Sequence, residues 1–381
     1  MRVSGTLAEI FTQHGHNCYL CYYLDNTGEP CPFFADRLVL EPHNEEESLT
    51  RFVQSGNIDI IILQVPLNNT NWYLLPLLRK IADANRCTLV HCIHTIPFAE
   101  CKGYDWSYIR YMMSQKQPLS QKAKNVFWGL CCILFPRMAT RRTAARYERI
   151  CNYCDKTVLL SDKYVPFFIK NVKCNPQGVM GLYNPLTYPF RLTSRDLDNK
   201  EKKVVIVGRL DESTKRLSKA IRIWSLIEKD FKADDWSLLF VGDGAEWDYY
   251  RKMVEKKGLR NISFVGRTDP ADYYRKASIV MSTSAIEGLP MVILEAKQMG
   301  CVPIAFDSFD AVYDLIEDSK TGYIVRYNDY KGYASRLHYL MTHHDVLKEM
   351  MENCLQSNDA FLPDAIYEAW KSIVCQSNGK E

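Results

Sequence analysis

The sequence predicts a two-domain α/β protein built on doubly wound parallel sheets, and three observations carry that prediction. Its 381 residues exceed one domain of ordinary size and suit two. The second half alternates short β-branched apolar runs with helical stretches that are apolar on one face. The first half repeats this alternation less cleanly, and a polar, turn-rich stretch from Tyr183 through Lys202 separates the two.

Taken in order, the chain opens on a helical pattern from Val3 to Gln13, with Val3, Leu7, Ile10 and Phe11 on one face. Strand signals follow at Cys18 to Leu24, Ile58 to Leu63 and Thr88 to Ile93, with helices at Leu74 to Ala84 and beyond Trp106. Val158 to Ser161 reads as a later strand, which completes a Rossmann-like first domain over residues 1–186. The second domain, residues 200–357, starts with strand Val204 to Val207 and a helix bearing Leu217, Ala220, Ile221, Trp224 and Ile227. Strands Leu238 to Val241, Ile262 to Val265, Ile279 to Met281 and Val302 to Phe306 follow, separated by helices at Glu246 to Lys257, near Ala271 and from Pro290. Runs apolar on both faces mean strands covered by helices on both sides. Ligands of such sheets bind outside the carboxyl ends of the strands, so the chemistry belongs in a central cleft that the two domains face.

Composition narrows the function. A net charge of +3 gives no electrostatic case for nucleic acid. The 14 cysteines are scattered along a long chain, which fits reduced thiols in the cytoplasm better than a disulfide framework. The pairs Cys18/Cys21 and Cys151/Cys154 lack the setting of a shared zinc site, so no metal is expected. The opening residues do not read as a signal peptide, and no apolar run reaches the ~20 residues that span a bilayer. The longest, Val126 to Pro136, lies among Lys122, Lys124, Arg137, Arg141, Arg142, Arg146 and Arg149. Residues 122–149 therefore read equally as a surface resting on anionic headgroups at the inner face of the plasma membrane, or as a buried helix with a basic solvent face.

The most informative segment is Ser282-Thr283-Ser284-Ala285-Ile286-Glu287-Gly288-Leu289-Pro290-Met291-Val292-Ile293-Leu294-Glu295. A buried strand ends in small polar residues, then an acid, then Gly-Leu-Pro, then a helix with a second acid inside it. Pro290 fits the first helical position and Gly288 admits close backbone approach. The N–H groups of Leu289, Met291 and Val292 then form a phosphate site at the positive end of the helix. Glu287 and Glu295 flank the ligand, neither in a core-facing position. In Val207-Gly208-Arg209-Leu210-Asp211-Glu212-Ser213-Thr214-Lys215, Arg209 and Lys215 emerge at the same sheet edge and can neutralise a diphosphate leaving group.

Glu287 and Glu295 with Gly-Leu-Pro between them resemble the E-x7-E signature of retaining GT-B glycosyltransferases of family 4, also called group 1. Gly208-Arg209-Leu210 with Lys215 resembles that family's diphosphate-binding pair, and Phe264-Val265-Gly266-Arg267 its nucleobase stretch. The resemblance implies a sugar transferred from a nucleotide-sugar, with UDP suggested by the Gly-Leu-Pro form, to a glycan or lipid-linked glycan in polysaccharide, lipopolysaccharide or capsule biosynthesis. It implies phosphate contacts from Arg209 and Lys215, sugar contacts from Glu287, and a ribose contact from Glu295. Gly266 and Arg267 would line the base pocket, and Gly288, Leu289, Pro290 and Met291 the phosphate site. No metal or other cofactor is implied, because cationic side chains and a helix dipole replace the cation. Cys92-Ile93-His94-Thr95 resembles the family's histidine loop, with His94 beside the donor sugar or acceptor. The terminal run, residues 362–376, resembles the helix that packs back on the first domain.

One departure stands out. Members of that family open with a core strand and a glycine-rich loop, whereas this chain begins inside the helix that follows them. The strands at Cys18 to Leu24 and Thr88 to Ile93 are expected to border the empty slot. The helix from Val3 to Gln13 is expected to lose the sheet face it should cover. An upstream extension of about 15–20 residues would supply one strand and its loop. The alternatives are a sugar-nucleotide epimerase of the same fold and a truncated, inactive protein that binds nucleotide-sugar without transferring it.

Overall fold

The structure, a computed structural model, describes residues 2–23, 32–41, 44–64, 72–190, 192–231 and 235–375. It divides into two compact units. Met1–Pro97, Ala144–Thr187 and Ala360–Glu381 form the first; Phe98–Thr143 and Tyr188–Asp359 form the second.

In the first unit, helix α1 (Arg2–Gln13) precedes strands β1 (Tyr19–Tyr22) and β2 (Asp36–Val39), which pair with each other in parallel. Leu24, the expected end of the first strand signal, lies outside the described residues. Helix α2 (Glu45–Ser55), strand β3 (Ile60–Leu63), helix α3 (Leu74–Asn85) and strand β4 (Thr88–Ile93) follow. The sequence reading missed β2 and α2. Asp36-Arg37-Leu38-Val39 is too short and too polar to show an apolar period.

After β4 come helices α4 (Ala99–Lys102), α5 (Trp106–Ser114), α6 (Leu119–Leu134) and α7 (Pro136–Tyr153), then β5 (Lys156–Leu159), α8 (Val165–Asn171) and β6 (Val179–Gly181). Strands β3, β4, β5 and β6 form one parallel sheet in that order. Thr88–Ile93 is thus paired on both sides, which corrects the expected border of the slot. Among the described residues the edges of this sheet are β3 and β6. Nor does α1 lose its sheet. Leu7, Ile10 and Phe11 pack with Val90, Cys92 and Val158, because alternate residues of a strand share one face. Ile366, Trp370 and Ile373 of the last helix complete that layer, with the rings of Phe11 and Trp370 edge to face at 5.7 Å. Gln376, the expected end of that helix, lies outside the described residues.

The second unit continues with β7 (Glu201–Val207), α9 (Leu217–Leu226), β8 (Ser237–Val241), α10 (Trp247–Lys257), β9 (Ile262–Gly266), α11 (Ala271–Lys276) and β10 (Ala277–Ser282). It ends with α12 (Met291–Gln298), β11 (Val302–Phe306), α13 (Val312–Leu315), β12 (Tyr323–Val325), α14 (Tyr330–Thr342) and α15 (His344–Gln356), while α16 (Pro363–Val374) returns to the first unit. The sheet order is β12-β11-β10-β7-β8-β9, all neighbours parallel. Val204 and Ile206 face one layer with Trp224 and Leu337, and Val205 faces the other with Tyr274, Ala296 and Met299. Burial on both faces is what makes these strands read as unbroken apolar runs.

The expected first domain, 1–186, differs from the observed unit over residues 98–143. That segment is bound to the second unit by charge. Lys219 in α9 donates to Asp105 at 2.7 Å, Tyr111 donates to Glu246 at 2.9 Å, and the Arg216 guanidinium donates to the Gly103 carbonyl. Its periodicity marks helices but carries no sign of which sheet they join.

Candidate functional site at the centre of the second sheet

The order of the second sheet reverses between β7 and β10. Loops leaving the carboxyl ends of two such strands diverge to opposite faces and leave a crevice between them. The loop after β7 holds Arg209 and Lys215, and the loop after β10 holds Glu287. The Lys215 ammonium donates to Glu287 Oε1 at 2.6 Å, with side chains 21% and 14% exposed. Two further bonds hold the loops in register. Ala285 N donates to the Thr214 carbonyl at 2.8 Å, and the Thr283 hydroxyl to the Lys215 carbonyl at 3.1 Å.

Lys215 lies along the backbone at Gly208, where an added Cβ would come within 3.2 Å of its Cε. Gly208 has φ +144°, a conformation that only glycine adopts with little strain. Gly242, at the end of β8, is packed still more closely, since a Cβ there would sit 1.9 Å from the Gly208 carbonyl oxygen. Gly242 N in turn donates to the Gly266 carbonyl at 2.9 Å. The ends of β7, β8 and β9 are therefore stacked backbone on backbone. Gly242-Asp243-Gly244 was not among the motifs singled out from the sequence. The repeated Val-Gly at Val207-Gly208, Val241-Gly242 and Val265-Gly266 was the signal that could have found it.

Arg209 stands apart from Lys215. Its side chain is 70% exposed and donates to Asp211 at 2.8 Å. Asp211 also accepts from the Ser213 N–H and hydroxyl and from Thr214 at 2.6, 2.5 and 2.7 Å. Burial works against its ionisation, but these hydrogen bonds outweigh burial and hold the carboxyl below its usual range. Arg267 is exposed beyond β9.

Gly288, Leu289 and Pro290 are buried, and Met291 and Val292 half-buried, at the start of α12. Pro290 is the residue before the helix (φ −70°, ψ 97°) rather than its first member. Its ring fixes φ but not ψ, so it can precede the helix in an extended conformation. Ile293 N donates to the Pro290 carbonyl at 3.0 Å, and α12 starts four residues after Glu287. Glu295 corrects the sequence reading: it is 6% exposed and turned inward, where the Tyr274 hydroxyl donates to it at 3.4 Å. His94 lies in the first unit, exposed just past β4.

Beneath Lys215 is a layer of buried charge that the sequence did not disclose. Arg216, fully buried and with φ +52°, stacks its guanidinium on Tyr108 at 3.7 Å. Glu212 accepts from Ser218 N and Oγ at 3.1 and 2.5 Å and from the Tyr250 hydroxyl at 2.9 Å, and burial raises its pKa. The Asp105 carboxylate accepts from Lys219, from Tyr327 at 2.9 Å and from Ser107 at 2.6 Å. Gly103 lies against Ile286, the residue before Glu287. Charged letters near a loop read as solvated in a sequence, and nothing in it marks which of them the packing will seal.

Among the described residues no cluster of three or more His, Cys, Asp or Glu side chains could hold a metal ion. The described cysteines are unbridged. Asp196 bonds Thr193 and Asp198 pairs with Lys348 at 2.8 Å, so both acids are engaged at the domain's edge.

Residues 192–357 match the family model for glycosyl transferases group 1. The structure superposes on Anabaena HepE in complex with UDP and glucose with a TM-score of 0.67 at 14% identity, over 98% of this chain and 96% of that one. The fold is GT-B. The amylovoran biosynthesis glycosyltransferase AmsD of Erwinia amylovora is 29% identical over 224 residues, 58% of this chain and 59% of AmsD. An alpha-1,4-N-acetyl-D-galactosaminyltransferase of Campylobacter jejuni, named for a diNAcBac-PP-undecaprenol-linked acceptor, is 26% identical over 59% of this chain and 61% of its own. The chain thus matches about three fifths of the length of these two relatives. These relatives are glycosyltransferases by name, as is the matching family model.

Proposed function

We propose that the chain transfers a sugar from a UDP-sugar to a glycan or lipid-linked glycan during surface polysaccharide synthesis, with retention of configuration and without a metal. The observation that carries this reading is the Lys215–Glu287 pair at the reversal point of the second sheet, beside the N-terminus of α12. As the glycosidic bond breaks, negative charge grows on the departing diphosphate. Lys215, Arg209 and the backbone N–H groups of Leu289, Met291 and Val292 would stabilise that charge more in the transition state than in the ground state. Glu287 would accept hydrogen bonds from the sugar, Glu295 from the ribose, and the backbone at Gly266 and Arg267 would meet the base. His94 would orient the sugar or the acceptor. The UDP and glucose named in HepE's complex and the acceptor named for the Campylobacter relative support the substrate classes. The same reading places the protein in the cytoplasm at the inner face of the plasma membrane, with residues 122–149 toward anionic headgroups.

The test is a panel of UDP- and GDP-sugars assayed for nucleotide release, with the anomer of the product read by NMR. UDP release from one UDP-sugar, with retention and insensitivity to EDTA, is the expected result. An isomerised UDP-sugar without release, or an inverted product, would contradict the proposal.

A further inference from the structure

Twelve large apolar side chains are exposed among the described residues, and seven of them fall between Trp106 and Met138. Four surround the elbow where α6 meets α7: Phe127 at 68%, Leu134 at 57%, Phe135 at 58% and Met138 at 54% exposed. The opposite face of α6 explains the concentration. Gly129 and Cys132 are buried there, an added Cβ on Gly129 would lie 2.4 Å from Ile109, and Trp128 donates to the Glu100 carbonyl at 3.1 Å. With that side fixed to the second unit, Phe127 and Leu134, seven residues apart on a helix of 3.6 per turn, point outward together.

Charge identifies what the elbow meets. From Trp106 to Tyr147 the sequence holds eight Lys or Arg and no Asp or Glu. Lys124, Arg137 and Arg141 are exposed beside the apolar group. A protein partner of ordinary surface would offer acids and bases in mixture, whereas a segment that carries bases and no acids of its own, around aromatic and aliphatic tips, matches anionic headgroups above acyl chains. No helix among the described residues is long and apolar enough to cross the membrane.

We infer that the α6–α7 elbow is a membrane-inserting wedge: Phe127, Leu134, Phe135 and Met138 enter the acyl boundary while Lys124, Arg137 and Arg141 hold the headgroups. The inference rests on the membrane location proposed above and adds insertion to adsorption. Adsorption alone is screened by salt, whereas buried apolar tips hold after the charges are screened.

Co-sedimentation of the full chain with vesicles of phosphatidylcholine and about 30 mol % phosphatidylglycerol separates the two. The protein is expected to bind at low salt and to stay largely bound in about 0.5 M NaCl. The triple variant Phe127→Ser, Leu134→Ser, Phe135→Ser should bind at low salt about tenfold more weakly and be released by that salt. The triple variant Lys124→Glu, Arg137→Glu, Arg141→Glu should lose about tenfold or more at low salt. All substituted side chains are exposed, and unchanged melting of the variants verifies their fold. Release of the parent protein by salt as complete as that of the serine variant would overturn insertion while leaving adsorption standing. Failure of the parent to bind anionic vesicles would overturn both. UDP titration of the same samples reads the sugar site independently of either outcome.

Discussion

Lys215 and Arg209 leave the same loop but meet different surroundings, and the difference ranks their roles. Lys215 is held against Glu287 at the crevice, while Arg209 is mostly solvated and tied to Asp211. Replacing Glu287 by Gln should lower turnover about 10²-fold with little loss of stability. Glu295→Ala should match that loss and also lower the melting temperature, because Glu295 is enclosed beside Tyr274. Equal turnover of either variant with the true donor would show the site to be misassigned. Asp105 gives a test by pH. Burial raises its pKa, but the Lys219 ammonium and the bonds from Ser107 and Tyr108 outweigh burial, so its carboxyl ionises well below the usual carboxylate range. A depressed carboxylate stabilises the fold above its unfolded pKa, and that stability is lost as pH falls below about 4. Asp105→Asn should therefore cost about 3 kcal/mol at neutral pH, where it leaves buried Lys219 without its countercharge, bonded to the neutral Asn328 alone. Denaturant midpoints should show the gap to the parent protein narrowing toward pH 3; a gap that widens there would remove Asp105 from the ion pair.

Among the elements, the turn between α4 and α5 joins both functional loops. Gly103 receives the Arg216 guanidinium, next to Lys215, and abuts Ile286, next to Glu287. A Cβ on Gly103 would lie 2.2 Å from Ile286 Cδ1. Gly103→Ala should then displace Ile286 at a cost of about 1–3 kcal/mol and slow transfer about tenfold. Adding Ile286→Ala should restore much of the rate, a coupling that a double-mutant cycle measures. Additive losses would mean that the turn does not bear on Glu287. This turn was also the least legible element in the sequence. The strand-helix alternation of residues 201–306 could be read because each strand is apolar on both faces, and the two motif loops because they follow such strands. The strand at Asp36–Val39 and the attachment of residues 98–143 could not. The first lacks an apolar run, and the second depends on the Asp105–Lys219 pair, 114 residues apart in sequence.

For the whole molecule, the sheet order of the second unit reduces many charged and glycine residues to one crevice. That order places Lys215 beside Glu287 across 72 residues of sequence, and it is why the proposed phosphate and sugar contacts fall at one crevice. The first unit offered less to a sequence reading. The slot expected beside Thr88–Ile93 is not there, since that strand pairs with Ile60–Leu63 on one side and Lys156–Leu159 on the other, and an apolar run does not mark its own partners. The central claim, that the crevice holds a diphosphate by charge alone, is tested most directly by calorimetric titration of UDP in EDTA. Binding by the parent protein, unchanged by the chelator, should weaken at least about tenfold in Lys215→Ala and less in Arg209→Ala. Equal UDP affinity in Lys215→Ala and the parent protein, or binding abolished by EDTA, would contradict the account.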